Sequence, residues 1–141
     1  MVIMAIDYGD ARTGIAVCDK LEMLASPVCV INQRNEDKLI EEIDELSKKY
    51  KAELFVVGLP KNMDSSKGSR AVKCEEFAKA LSEYTGIESV MRDERLTTVS
   101  AHNALNATNT KGKKRKSVVD QVAAVVILQD FIDYRKNQIQ T

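Results

Sequence analysis

In residues 6–19 the sequence reads IDYGDARTGIAVCD, a polar segment with two glycines between two apolar runs. The first apolar run, Val2 to Ile6, leads directly into Asp7, and the second run extends from Ile15 to Cys18. Two β-like runs separated by glycine and aspartate predict a β-hairpin. A carboxylate at the end of a buried strand is costly unless it is paired, hydrogen-bonded or bound to a metal. Asp7 is therefore the first candidate for chemistry, although Asp-Tyr-Gly is also typical of an ordinary turn.

Composition predicts one soluble globular domain over residues 1–141. Apolar residues make up 44% of the chain and charged residues 30%, a balance typical of folded proteins. No apolar run approaches the roughly 20 residues that a membrane-spanning helix requires, and the apolar N-terminal run is too short for a signal peptide. The three cysteines are widely spaced and indicate reduced thiols. We therefore expect a cytoplasmic protein without a membrane partner.

The charge pattern excludes a uniformly basic nucleic-acid-binding protein but leaves one basic segment. The chain carries 21 basic and 21 acidic residues, so its formal net charge is zero. KGKKRK, Lys111 to Lys116, places five cations in six residues, at the end of a loop predicted for Asn106 to Lys116. Such a run forms either a phosphate-contacting patch or a solvated surface loop, and both interpretations remain open at this point.

Beyond the hairpin, the hydrophobic periodicity predicts alternating strands and helices. The predicted elements are a strand at Met23–Ile31, a helix at Asn35–Lys51, a strand at Leu54–Leu59, a helix at Arg70–Tyr84, a strand at Ile87–Met91, a short helix from Thr97 or Thr98 to Ala107, and a helix at Ser117–Lys136. Pro27 in the third strand favours a position at the rim of the sheet. Helical crossovers imply parallel pairing of the later strands. The fold class predicted from the residues is a mixed α/β sheet with helices on its faces.

Local signals also predict helix ends and buried faces. Asn35 is a plausible N-cap of the first long helix, and Gly86 is placed to terminate the second. In the second helix, the spacing of a core-facing stripe is shared by Val72, Phe77, Ala78, Leu81 and Tyr84. All five are therefore expected to be buried.

Three acidic positions stand out from their surroundings: Asp7 after the first strand, Asp93 or Glu94 after the fifth, and Asp120 inside an apolar helix. In open α/β sheets, active sites lie at the carboxyl ends of the strands. Converging carboxylates repel one another unless divalent cations lie between them, and hard oxygen ligands suit Mg²⁺ or Mn²⁺. Two such ions can assist displacement at a phosphodiester. The single His102 and the scattered cysteines argue against a zinc site.

Two of these acids also have ordinary structural interpretations. Glu94 can form a surface ion pair with Arg92 or Arg95, a common arrangement of little energetic value. Asp120 can cap the last helix if that helix begins at an adjacent residue rather than at Ser117.

Four ordered motifs together resemble the YqgF (RuvX) family of RNase H-like nucleases. They are IDYGDARTGIA at 6–16, VVGLPKNMD at 56–64, DERLTT at 93–98 and VVDQVAAVVIL at 118–128, and they cover nearly the whole chain. The resemblance implies an RNase H-like fold, with a five-stranded mixed sheet of order 3-2-1-4-5 flanked by helices. Two departures, Ser65 where glycine is usual and Ser69 where proline is common, concern the loop after the GLP motif and leave the carboxylates untouched.

The resemblance implies that Asp7, Glu94 and Asp120 are the catalytic, metal-binding residues, which selects Glu94 over Asp93. These carboxylates are expected to hold Mg²⁺ or Mn²⁺, as two ions. The candidate substrate-binding residues are Arg12, Lys61, Asn62 and Arg95 from the motifs, and Lys113, Lys114 and Arg115 from the basic run.

The function implied is hydrolysis of phosphodiester bonds at the 5′ end of the 16S ribosomal RNA precursor during ribosome biogenesis. The family is also associated with Holliday junction cleavage, which requires a dimer, so branched DNA is an alternative partner and both monomer and homodimer remain open. A non-catalytic RNA-binding assembly factor is a further alternative, which the complete carboxylate set disfavours. Sugar-kinase and Hsp70-like proteins also use D-x-G hairpins, but 141 residues hold only one such half.

Overall fold

The computed structural model describes residues 1–59, 68–93 and 112–140, and within these ranges the side chains of 93, 112–121 and 138–140 are not described. The strands in this part of the chain are β1 (Ile3–Asp7), β2 (Arg12–Cys18), β3 (Ala25–Asn32), β4 (Leu54–Leu59) and β5 (Ser89–Asp93), and the helices are α1 (Glu36–Tyr50), α2 (Ser69–Thr85) and α3 (Gly112–Gln140). The short helix predicted to end at Ala107 lies outside the described residues.

The strands form a five-stranded mixed sheet of order β3-β2-β1-β4-β5, as the family resemblance implied. The β1–β2 and β2–β3 pairs are antiparallel, whereas β1–β4 and β4–β5 are parallel. β3 is an edge strand, and the register between β2 and β3 shifts where Pro27 pairs with Ala16. Because proline cannot donate a backbone hydrogen bond, it is tolerated at such an irregular edge. The predicted fold class and the rim position of the third strand are confirmed.

β1 is buried on both of its faces, and its side chains alternate between two apolar clusters. Met4 and Ile6 belong to the cluster formed with α1 and α2. Ile3 and Ala5 belong to the cluster formed with α3. This alternation follows from the two-residue period of a strand, and it divides the molecule into a helical layer on each side of the sheet.

The helix ends confirm both capping predictions, but two predicted core residues are exposed. The Asn35 side chain accepts a hydrogen bond from the Lys38 backbone N–H at 3.0 Å, and Gly86 ends α2 with a φ of 76°. Val72 and Tyr84 lie on the solvent side of α2, so their predicted burial was wrong. The predicted burial of Phe77, Ala78 and Leu81 is confirmed, and Ala71 and Cys74 complete the buried stripe. Much of this stripe consists of small residues, whereas the prediction from periodicity gave more weight to the larger apolar residues beside it.

α3 begins at Gly112, five residues before the predicted start at Ser117. The predicted loop over Asn106 to Lys116 is therefore wrong for residues 112–116, which are helical. Lysine and arginine have high helix propensity, and the long apolar segment that follows supplies the packing that stabilises the helix. None of the described helices combines the length and apolarity that crossing a bilayer requires.

The far end of α3 is attached to the β2–β3 turn by a network around Glu22. Glu22 Oε1 accepts a hydrogen bond from Arg135 Nε at 2.7 Å, and Oε2 accepts one from the Met1 ammonium at 3.0 Å. Burial acts to raise the pKa of the Glu22 carboxyl, but these hydrogen bonds outweigh burial and hold the pKa below its usual value. The Gln129 side chain on α3 also accepts a hydrogen bond from the Ala25 N–H, at the start of β3, at 3.0 Å.

We predict that Glu22→Gln lowers the free energy of unfolding at neutral pH by about 1–2 kcal/mol, because it removes the negative charge that accepts the hydrogen bonds of Arg135 and the Met1 ammonium. A lowered folded-state pKa means that this stabilisation is present above the unfolded-state pKa of about 4.3 and lost as the pH falls through the folded-state value. Denaturant unfolding of both proteins across pH measures the difference, which should shrink under acidic conditions. The exposed Glu45→Gln on α1 serves as the control, and an equal loss of stability there would contradict the prediction.

Candidate functional site

The parallel strands bring Asp7 and the end of β5 to the same edge of the sheet. Ile6 of β1 pairs with Val57 of β4, and two residues further along, Leu59 pairs with Asp93. Asp7 and Asp93 therefore end the two strands that flank β4. This carboxyl edge is where open α/β sheets place their active sites.

Asp7 is the last residue of β1 and is half-buried. Since Ile3 and Ala5 pack against α3, the two-residue period of the strand assigns Asp7 to the same face of the sheet. A carboxylate at the end of a strand with such an apolar interior provides the hard oxygen donor that Mg²⁺ and Mn²⁺ prefer. The donor chemistry of Asp7 therefore fits a divalent-metal site.

The direction of α3 relates Asp120 to this edge. Gln129 contacts the beginning of β3, and Ala25 there pairs with Cys18 at the end of the sheet opposite to Asp7. Asp120 lies nine residues before Gln129, a distance of about 13 Å along a helix axis, which is comparable to the length of β1. We therefore expect the backbone of Asp120 near the carboxyl edge. Its interpretation as a helix cap is wrong, because α3 begins at Gly112 and Asp120 lies in the third turn.

The structure describes only some of the other predicted site residues. Glu94, Arg95, Lys61 and Asn62 lie outside the described residues. The backbone of Lys113, Lys114 and Arg115 lies in the first turns of α3, and Arg12 is the first residue of β2. Among the side chains that the structure describes, which include neither Asp93 nor Asp120, no group of three or more His, Cys, Asp or Glu is arranged to hold a metal. The three-carboxylate site thus stays a prediction.

The turn between Asp7 and Arg12 requires glycine at position 9. A Cβ atom on Gly9 would lie 2.1 Å from the backbone oxygen of Arg12, a separation that no side chain tolerates. The buried Thr13 hydroxyl accepts a hydrogen bond from the Gly9 N–H at 3.4 Å and donates one to the Gly9 carbonyl at 3.5 Å. The tight turn therefore fixes the spatial relation between Asp7 and Arg12.

A cluster that sequence reasoning missed links this turn to α2. Arg70 Nη1 and Lys73 Nζ each donate to Asp10 Oδ1 at 2.7 Å. Arg70 Nη2 also donates to the Tyr8 carbonyl at 2.5 Å, and its guanidinium lies 5.0 Å from the Tyr8 ring centroid. The Tyr8 ring stacks on Phe77 at 4.1 Å. The available sequence signal was the spacing of three between Arg70 and Lys73, which places both on one side of a helix.

The charges in this cluster shift one another's pKa values. Hydrogen bonds from Lys73 and then Arg70 hold the pKa of the Asp10 carboxyl below its usual value. The same bond to Asp10 raises the pKa of Lys73. Burial, followed by the nearby Glu36 carboxylate, raises the pKa of Tyr8. At neutral pH the cluster therefore contains two cations, one anion and a neutral phenol.

We predict that Gly9→Ala lowers the free energy of unfolding by roughly 3 kcal/mol or more, because the Arg12 carbonyl must move and buried Thr13 loses hydrogen bonds. The matched control is Gly86→Ala, where φ is +76° but a Cβ meets nothing within 4 Å. That change carries only left-handed backbone strain of about 1–2 kcal/mol. Denaturant unfolding ranks the two variants, and a smaller loss for Gly9→Ala than for Gly86→Ala would refute the close-contact argument.

Comparison with known proteins identifies relatives of the whole chain. The model of the RuvX family, described as Holliday junction resolvase, matches residues 1–134. A protein of Halothermothrix orenii named "Putative pre-16S rRNA nuclease" is 43% identical over 135 residues, covering 96% of each chain. A protein of Agathobacter rectalis with the same name is 38% identical over 140 residues, covering 97% of this chain and 98% of the relative.

Solved structures show a similar fold at low sequence identity. RuvC of T. thermophilus in complex with a Holliday junction substrate has a TM-score of 0.62 at 13% identity, covering 97% of this chain and 96% of that one. The fowlpox virus Holliday junction resolvase has a TM-score of 0.55 at 12% identity, covering 95% and 99%. At these identities the likeness establishes the fold alone, which is that of the RuvC-like, RNase H-fold resolvases.

Proposed function

This chain belongs to the RuvX family, and we propose that it is a divalent-metal-dependent nuclease that processes the 5′ end of the 16S ribosomal RNA precursor. Relatives at 38% and 43% identity over nearly their full length carry a pre-16S rRNA nuclease name. The structural observation that carries the proposal is Asp7, a half-buried carboxylate at the carboxyl end of a central buried strand.

We assign metal binding to Asp7, Glu94 and Asp120. Asp7 ends β1, Glu94 follows β5 directly in sequence, and Asp120 lies on the helix that covers the Asp7 face of the sheet. Divalent ions held there would supply activation of the attacking water and stabilisation of the leaving oxygen of the phosphodiester. Asp7 supports this assignment, because it ends a strand that is anchored in the core, and an anchored carboxylate would hold an ion in a fixed geometry.

Basic and polar residues around this edge are assigned to substrate binding. Arg12 begins β2, immediately across the tight turn from Asp7, and Arg95 follows Glu94 in sequence. Lys61 and Asn62 belong to the segment after β4, the strand that lies between β1 and β5. Cations and amides at these positions would hold phosphates and orient the scissile bond relative to the carboxylates.

The first experiment compares cleavage of a pre-16S RNA fragment by wild type, Asp7→Asn and Asp120→Asn in the presence of Mg²⁺ or Mn²⁺. We predict loss of cleavage by at least about a hundredfold in both variants, because each change removes a ligand oxygen charge at nearly constant volume. Circular dichroism and thermal unfolding should remain close to wild type. Asp133→Asn, an exposed change on the same helix as Asp120, should retain activity. Full activity of Asp120→Asn would remove that residue from the site.

A second candidate function is resolution of four-way DNA junctions. It is favoured by the family description and by the fold of the junction-bound T. thermophilus RuvC. Resolution requires a dimer that presents two sites to opposed strands. The same assay therefore includes a four-way DNA junction, and the molar mass is measured by light scattering. Preference for RNA supports rRNA processing, whereas paired nicks in the junction by a dimer would favour resolution instead.

The basic run at the start of α3 supplies a separate test of RNA contacts. We predict that changing Lys113, Lys114 and Arg115 to glutamine weakens RNA binding and reduces the slope of log affinity against log salt by about 2, since each lost contact to a single strand contributes about 0.7. Fluorescence anisotropy across salt concentrations measures the slope. Changing Lys20, Lys48 and Lys51 in the same way is the charge-matched control. An unchanged slope in the first variant would show that the basic run is a solvated surface segment that does not contact the RNA.

A further inference from the structure

Two cations of α2 converge on one carboxylate oxygen beside the candidate site. Arg70 Nη1 and Lys73 Nζ both lie 2.7 Å from Asp10 Oδ1. The guanidinium is held in place independently of this contact, by its bond to the Tyr8 carbonyl and its position over the Tyr8 ring. Because Tyr8 is itself stacked on core residue Phe77, the Arg70 side chain is oriented by the hydrophobic core. Asp10 Oδ1 thus marks a pre-organised position for an anionic oxygen.

The anion in this position is exchangeable. The side chain of Asp10 is 65% exposed, and that of Lys73 is 53% exposed, so the ion pairs contribute little to stability. Two cations against one carboxylate leave a net charge of +1. A phosphate group is a stronger match for this pair, since Arg70 Nη1 and Lys73 Nζ could donate to two of its oxygens, whereas both share one oxygen of Asp10.

The cluster lies at the same edge of the sheet as Asp7 but on the other face. Asp10 follows Asp7 by three residues, so their Cα atoms are at most about 11 Å apart. Asp7 shares the α3 face of β1, whereas Tyr8, against which Arg70 stacks, packs with α2. A nucleic acid strand that crosses this edge would therefore present one phosphate near Asp7 and a neighbouring phosphate to Arg70 and Lys73.

We propose that Arg70 and Lys73 form a phosphate-binding subsite for single-stranded RNA, and that Asp10 fills this subsite in the free protein as an internal competitor. The proposal rests on the proposed nuclease function for its substrate. The incoming phosphate displaces the Asp10 carboxylate, which turns to solvent. Asp10 thus lowers the affinity for a strand that reaches across the edge, because its displacement opposes binding at the subsite.

The test is RNA binding in EDTA, measured by fluorescence anisotropy with a 5′-labelled single-stranded RNA over a range of salt concentrations. Asp10→Asn should bind more tightly, on the order of fivefold at 0.1 M salt, because the phosphate no longer has to displace a carboxylate from Arg70 and Lys73, and its salt slope should stay close to that of the wild type because the phosphate contacts are the same. Lys73→Gln should bind more weakly by a similar factor, with a correspondingly shallower slope. In Asp10→Asn/Lys73→Gln the gain should disappear. Lys79→Gln, the same charge change further along α2, should match wild type.

A gain of affinity on removing Asp10 distinguishes competition from a purely structural role. If Asp10 only braced the turn, Asp10→Asn would bind RNA no better than wild type, and that result overturns the proposal. Should Asp10→Asn prove unstable in thermal unfolding, the exposed Lys73→Gln decides, because binding equal to that of Lys79→Gln also overturns it. Binding in EDTA needs no cleavage. If the variants differ in RNA binding as predicted but the wild type cleaves no RNA, the result supports the subsite and rejects the nuclease function. If the wild type cleaves RNA but the variants bind it equally, only the subsite is rejected.

Discussion

The structure depends on the complete burial of β1 between two neighbouring strands and two helical layers. Residues Ile3 to Ile6 are all inaccessible to solvent, and each large apolar side chain among them stabilises the fold by about 1.5–3 kcal/mol. β2 pairs with this strand on one side and β4 on the other. β1 is therefore paired with a strand on each side and buried on both faces. Asp7 at its end is held in one position relative to the rest of the molecule.

This constraint extends to the carboxyl edge of the sheet. The parallel register of β1, β4 and β5 makes their ends neighbours, and the antiparallel hairpin returns Arg12 to the same edge through a turn that only Gly9 permits. α2 holds the other side of that turn through Arg70, and the Glu22 network fixes the far end of α3. The elements that meet at the carboxyl edge are therefore each anchored elsewhere in the fold, and such rigidity is what the positioning of reacting groups at an active site requires.

The two sets of relatives give different information: the solved structures concern the fold, and the curated relatives concern the chemistry. RuvC-like resolvases share the architecture at 12–13% identity, so they explain how strands and helices create the edge but not what is cut there. Curated relatives at 38% and 43% identity span nearly the whole chain and bear the pre-16S rRNA nuclease name. A half-buried acid at the end of a central strand is compatible with either substrate. The fold alone therefore does not distinguish RNA from branched DNA as the substrate.

Local patterns in the sequence were sufficient for the hairpin, β4, the Asn35 and Gly86 helix ends, and the edge position of Pro27, because each depends on the periodicity or backbone preference of a few adjacent residues. The residues alone singled out Asp7, Asp120 and an acid at the end of the fifth strand. The strand order and the choice of Glu94 over Asp93 came from the motif resemblance, and the structure confirms the strand order. In α2 the periodicity located the buried Phe77, Ala78 and Leu81, but only the tertiary structure decided that Ala71 and Cys74 pack against the sheet and that Val72 does not. The early start of α3 depends likewise on packing further along the helix. The Arg70–Asp10–Lys73 cluster joins residues 60 and 63 positions apart, a separation that no local pattern encodes, because their contact exists only once the sheet and α2 have packed together.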